Sequence, residues 1–183
     1  MSVEVEFSRE DIEELLEELG RRLLARNVTG RIYVAGGAAI ALEYPARRVT
    51  RDIDALFDPA QAVREEAAAM AKDRGLPPTW LSDSVRAFKP PGDDGQARTY
   101  SIPGLEVSIA SPRYLLAMKM AAGRPQDLHD LLLIFRELGI TKAEEAADIT
   151  QAVHGPDSIL LPPRDELILY AEAVLNRLAE PPT

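Results

Sequence analysis

Residues 34–57, VAGGAAIALEYPARRVTRDIDALF, constrain this chain more than any other stretch. They read as a strand, a Gly-Gly turn, a short helix over residues 38–43, a basic loop, and a second strand carrying Asp52 and Asp54. Residues i and i+2 of a strand point to the same face. Asp52 and Asp54 therefore project together, with Ile53 turned into the core. Two carboxylates on one face suit a hard divalent cation such as Mg²⁺, which takes oxygen ligands and completes its shell with water and phosphate. Gly36 and Gly37 stand where a strand ends and a helix begins. There the backbone can approach a phosphate closely, and free helix N–H groups face it. Either feature alone has an ordinary explanation, a turn or a solvated strand end. Together they point to nucleoside triphosphate chemistry.

The rest of the chain supplies a setting for this unit. Its 183 residues are enough for one domain with a sizeable core, or one domain plus a small helical appendage. There is no cysteine, which excludes a disulfide framework or a thiolate metal site. The acidic start, MSVEVEFSRED, is unlike a signal peptide, and no apolar run approaches the roughly 20 residues that span a bilayer. The expectation is a cytoplasmic protein with no membrane partner. A net charge of −9 argues against a general nucleic-acid binder. The charge is uneven, however: Arg21, Arg22, Arg26, Arg31, Arg47, Arg48 and Arg51 face Glu43 alone over residues 21–51. This stretch is either a local basic surface able to receive phosphates or, for Arg21, Arg22 and Arg26, a solvated helix end.

In chain order, Ser8 and Asp11 have capping-box spacing. The helix they open runs to about Ala25, with Ile12, Leu15, Leu16, Leu19, Leu23 and Leu24 as its apolar stripe. Asp58 and Pro59 read as cap and first position of a helix reaching Arg74. Residues 79–88 fit neither period clearly, and the turn-rich residues 89–95 are expected to be exposed and mobile. Strands follow over 98–102 and 105–110. Glu106 is the single carboxylate of the latter. Ser111 and Pro112 open the next helix, in which Lys119 lies on or beside the apolar face. There a lysine must snorkel out or meet an anion. Further helices are expected over 125–138, 141–153 (capped by Thr141) and 163–179. Asp127 falls in a first helical turn, where a carboxylate is favourable. Neither His129 nor His154 belongs to a zinc-ligand pattern.

The Gly-Gly turn, helix and Asp-x-Asp strand resemble the nucleotidyltransferase superfamily with the polymerase-β-like fold. More closely, RVTRDID (residues 48–54) is similar to the Arg-x-(Ser/Thr)-x-Asp-Ile-Asp segment of AbiEii-type and MenT-type nucleotidyltransferases and their small uncharacterised relatives. KMAAGRPQDLHDL (residues 119–131) resembles their Lys-x-x-Ala…Arg-x-x-Asp-x-x-Asp-Leu block. The resemblance implies an α+β fold with a small mixed sheet flanked by helices and a C-terminal helical region. The core would span residues 1–110, and residues 111–183 would close one side of a cleft.

It further implies Mg²⁺-dependent transfer of an NMP from an NTP, such as ATP, to an acceptor hydroxyl. Asp52 and Asp54, with Glu106 as third carboxylate, would hold the metal. Gly36, Gly37, Arg48 and Thr50 would position phosphates, Lys119 would stabilise their charge, and Asp127 would orient Lys119 or a metal-bound water. The toxin relatives modify the 3′ end of tRNA and are neutralised by an antitoxin partner. A homo-oligomer stays open. A different class of reading is a catalytically silent relative that binds a nucleotide or a protein.

Overall fold

A computed structural model describes residues 5–44, 49–155 and 157–180. The chain forms two compact units: Met1–Ala87 with Gln96–Ala110, and Phe88–Gly95 with Ser111–Thr183.

The first unit is a sheet with three helices. Helix α1 (Arg9–Ala25) starts on a complete capping box. The Asp11 N–H donates to Ser8 Oγ (3.2 Å) and the Ser8 N–H to Asp11 Oδ2 (2.8 Å), so two backbone donors that a helix start leaves unpaired are satisfied. Its stripe of Ile12, Leu15, Leu16, Leu19 and Leu23 is buried, but Leu24 is half exposed and lies off that face. Strand β1 (Gly30–Val34), helix α2 (Gly36–Glu43), strand β2 (Ile53–Asp58), helix α3 (Ala60–Arg74), strand β3 (Leu81–Ser82) and strands β4 (Arg98–Ile102) and β5 (Leu105–Ile109) complete the unit. The sheet order is β3-β2-β1-β5-β4. β1 runs parallel to β5 and β2 to β3, while β1–β2 and β4–β5 are antiparallel, so the sheet is mixed. Alternate residues (Ile32, Val34; Ile53, Ala55, Phe57; Leu105, Val107, Ile109) are buried on one face.

Two readings of this unit change. Asp58 does not cap α3; it ends β2 opposite Arg31, with which it makes a 3.0 Å ion pair, and Pro59 takes the N-cap place. Residues 79–88 hold the two-residue strand β3 and a 3₁₀ turn, Ser84–Ala87. A two-residue strand has no period to read. Trp80 beside it is fully buried, its Nε1–H donating to the Ala67 carbonyl at 2.9 Å.

The second unit is helical: α4 (Pro112–Ala122), a 3₁₀ turn (Pro125–Asp127), α5 (Leu128–Leu138), α6 (Ala143–His154) and α7 (Arg164–Ala179). Ser111 caps α4, as its position before Pro112 suggests. Residues 89–95, expected to be mobile, are tied to this unit together with Phe88. Asp94 accepts from the Ser111 N–H (2.7 Å), Tyr114 O–H donates to the Asp93 carbonyl (2.9 Å), and Arg124 lies over Phe88. The α6 cap is Lys142 rather than Thr141, because Glu145 Oε2 accepts from both their N–H groups. In α7, Leu167, Ala171 and Val174 carry the buried face.

His154 is 2% exposed. Its Nε2 lies 3.2 Å from the Ala117 carbonyl, and its Nδ1 has no hydrogen-bond partner among the described residues. Burial pushes its pKa down. An unfolded histidine takes up a proton below about pH 6.5, while the folded ring resists it. The unfolded state then binds more protons, and stability falls by at most about 1.4 kcal/mol per pH unit between the unfolded and the lower folded pKa. Thermal melts at pH 7.5 and 5.5 should show this acid loss in wild type and a flatter dependence in His154→Gln.

Candidate functional site

The site in the first unit is built where β1 turns into α2. The Ala35 N–H donates to the Asp54 carbonyl (2.8 Å), setting Asp54 beside the end of β1. Gly36 has φ +60°, a left-handed conformation that glycine adopts without a Cβ penalty. Ala35 is the α2 N-cap and supplies no side-chain acceptor, so the N–H groups of that first turn have no capping side chain. Positions Ala38 to Leu42 are all buried, which roots the short helix in the core.

Asp52 immediately precedes β2, and Asp54 occupies the face of β2 opposite Ile53, Ala55 and Phe57. Both carboxylates are partly buried. Burial, and next the charge of Asp54, push Asp52 above the usual carboxylate range. Asp54 Oδ1 accepts from Ser84 Oγ at 2.6 Å. Its Oδ2 faces the glycine turn: a Cβ added at Gly36 would sit 3.2 Å from it. Thr50 is held by a backbone bridge to Phe7 and donates from Oγ1 to the Asp52 carbonyl at 3.1 Å. The same Oγ1 packs against Gly37, where a Cβ would come within 2.8 Å. Gly36, Gly37, Thr50, Asp52 and Asp54 are thus brought together.

This contact makes a prediction. Gly37→Ala must displace Thr50, and Gly36→Ala adds left-handed backbone strain of about 1–2 kcal/mol as well as crowding Asp54. Both variants should stay folded by circular dichroism and melt below the wild type.

Arg48 lies outside the described residues. Glu106 is not brought to the aspartate pair, which corrects its assignment as third carboxylate. It shares their face of the sheet, but its register places it opposite Arg31 at the start of β1, whereas Asp54 is beside Ala35 at the end. Four residues at about 3.3 Å each separate these levels by ~13 Å, against ligand distances near 2.1 Å for Mg²⁺. Ser108, bonded to Thr99 (2.8 Å), stands nearer that end of β5. Among the described residues no group of three or more His, Cys, Asp or Glu could hold a metal.

Three arginines of the basic stretch are paired with acids. Arg22 pairs with Glu18 and Asp73, Arg26 with Glu65 and Glu66, and Arg31 with Asp58. The helix-face reading therefore holds for Arg22 and Arg26, with the acids supplied largely by α3.

Lys119 and Asp127 belong to the second unit. Lys119 is 7% exposed and meets anions rather than snorkelling out. Its Nζ is 2.6 Å from Asp127 Oδ1 and 2.8 Å from Asp130 Oδ2. Sequence reasoning gave Asp130 no role. Its i,i+3 spacing from Asp127 was the available signal, since such residues share a helix face.

A strand, glycine turn and helix followed by a strand with one aspartate at its start and another just before it, on a mixed sheet, define a nucleotidyltransferase-like fold. Residues 10–133, more than half of the chain, match the family described as a nucleotidyltransferase of unknown function (DUF6036). The chain belongs to that family. No curated protein and no solved structure matches it. No helix among the described residues is long and apolar enough to cross a membrane.

Proposed function

We propose that this protein is a Mg²⁺-dependent nucleotidyltransferase that moves an NMP from an NTP to an acceptor hydroxyl, releasing pyrophosphate. The observation that carries this reading is the convergence of an uncapped Gly36–Gly37 helix start with Asp52 and Asp54. The pair fits Mg²⁺: each carboxylate is partly buried, and their charges already oppose one another. A cation relieves that cost, and Mg²⁺ commonly uses one or two carboxylates together with substrate phosphates. When bound it would neutralise triphosphate charge and help activate the attacking hydroxyl. Asp52 and Asp54 hold it. The α2 N–H groups receive phosphate oxygens, and Thr50 keeps the turn and the pair in register. The AbiEii-type and MenT-type resemblance gives Lys119 the role of stabilising phosphate charge and Asp127 that of orienting Lys119 or a metal-bound water. Arg48, on the same ground, assists at the phosphates.

The acceptor proposed first is the 3′ end of tRNA, with the protein as the toxin of a toxin–antitoxin pair. The net charge of −9 and the paired arginines predict weak, salt-sensitive RNA binding. Purified protein is incubated with Mg²⁺, each labelled NTP in turn, and total tRNA. Label on RNA supports the reading and identifies the base. Label on protein moves the acceptor to a protein hydroxyl. Growth arrest on expression, relieved by Asp54→Ala, tests the toxin role.

The absence of a third carboxylate beside the pair, among the described residues, favours a second reading: a catalytically silent module that binds nucleotide or protein. Nucleotide binding without transfer to any acceptor would support it.

A further inference from the structure

The geometry points to Ser84 as a positioning residue for Asp54, one that ties Oδ1 and leaves Oδ2, the oxygen facing the Gly36 turn, for the cation side of the site. This inference rests on the metal–NTP reading of the aspartate pair.

Ser84 lies outside both sequence blocks that resemble known enzymes, in the stretch that periodicity leaves unread. Its Oγ donates to Asp54 Oδ1 at 2.6 Å, a length typical of a hydroxyl bonded to an ionised carboxylate. A carboxylate on a strand is otherwise free to turn about its terminal torsion, which is broad and roughly two-fold. A donor on one oxygen fixes that rotation and so sets the direction in which the other oxygen points. Oδ2 is the atom that a Cβ on Gly36 would meet at 3.2 Å, so the fixed orientation is toward the glycine turn.

The turn that delivers Ser84 is braced. β3 pairs in parallel with β2, placing Ser82 opposite Asp54. The Ser84 N–H donates to Ser82 Oγ at 3.1 Å. Asp83, between them, is anchored to α3 by a 2.6 Å ion pair with Arg64, whose guanidinium lies 5.6 Å over the Phe57 ring. The strand, the helix and the turn thus all constrain one exposed serine whose hydroxyl reaches the carboxylate. Without that purpose an exposed serine would turn its hydroxyl to water at no cost. Groups that orient a metal-ligating carboxylate typically change metal affinity or activity by about 10–100-fold when removed.

The test uses Mn²⁺ as the probe cation, its free concentration followed by electron paramagnetic resonance. Wild type, Ser84→Ala, Ser84→Thr and Asp54→Ala are titrated alongside thermal melts. The expected result is Mn²⁺ binding by wild type, loss in Asp54→Ala, and affinity about tenfold or more weaker in Ser84→Ala. Ser84→Thr, which keeps the hydroxyl, should return toward wild type. Ser84→Ala should melt with the wild type, which separates orientation from folding. Wild-type and Ser84→Ala affinities that coincide, with Asp54→Ala inactive in binding, would overturn the role of Ser84 and leave the metal site standing. Equal weakening by Ala and Thr would also overturn it, because the hydroxyl would not be the cause. No Mn²⁺ binding by wild type would overturn both the site reading and the inference built on it.

Discussion

Asp54→Ala is expected to abolish NMP transfer while leaving the fold intact. The carboxylate faces the glycine turn, is held by Ser84, and shares its site with Asp52. A metal held there, as proposed, would supply several kcal/mol of transition-state charge stabilisation. At about 1.4 kcal/mol per tenfold in rate, losing ~4 kcal/mol slows transfer by about 10³-fold. The stability effect is small by comparison. The variant loses one hydrogen bond from an exposed serine, worth about 1 kcal/mol, and gains relief of the repulsion with Asp52. The melting temperature should therefore move by no more than about 2–4 °C. Rate and melt measured on the same preparation check both halves.

Lys119→Ala is expected to have the largest effect on stability. The lysine side chain is 8% exposed, and those of Asp127 and Asp130 are 15% and 5% exposed. Removing the cation leaves two sheltered carboxylates facing each other, the situation in which breaking a buried ion pair costs about 3–5 kcal/mol. For a chain of this size that is a fall of about 6–20 °C in melting temperature, localised to the second unit. Neutralising the acids in the same background, as Asp127→Asn with Asp130→Asn, should recover part of the loss. A double-mutant cycle on thermal melts reads the coupling directly. The cluster also bears on the role of Lys119: its charge is already balanced, so any phosphate it serves must compete with Asp127 and Asp130.

What the sequence makes legible follows from the range of the interaction. The Ser8–Asp11 box and the Ser111 cap depend on residues three apart, and both can be read before any tertiary structure is known. Asp54 follows the two-residue strand period, whereas Asp52 sits in the bend just before β2, and the glycine turn depends on residues adjacent in sequence. Glu106 shows the limit of that period. It assigns the face of a strand but not the level along it, which only the pairing of β1 with β5 and β2 fixes. Ser84 reaches Asp54 across 30 residues through a two-residue strand, too short to leave a pattern. The arginines of residues 21–31 look basic in sequence because the acids that neutralise Arg26, and one of those on Arg22, come from α3, some 40 to 51 residues away. Helix starts at Asp58 and Thr141 fail for different reasons: the Asp58 carboxylate pairs with Arg31 across the sheet, and α6 is capped one residue later, at Lys142, with Glu145 accepting from the Lys142 N–H.

On the proposed reading, the glycine turn and the aspartate pair form one metal–NTP site. Calorimetric titration of an NTP into wild type and into the Asp52→Asn/Asp54→Asn double variant, with Mg²⁺ and again with EDTA, tests it most directly. Binding by wild type is expected to require Mg²⁺ and to be lost in the double variant with the fold retained. Binding of equal strength in the two proteins, or none in wild type with Mg²⁺ present, would contradict it.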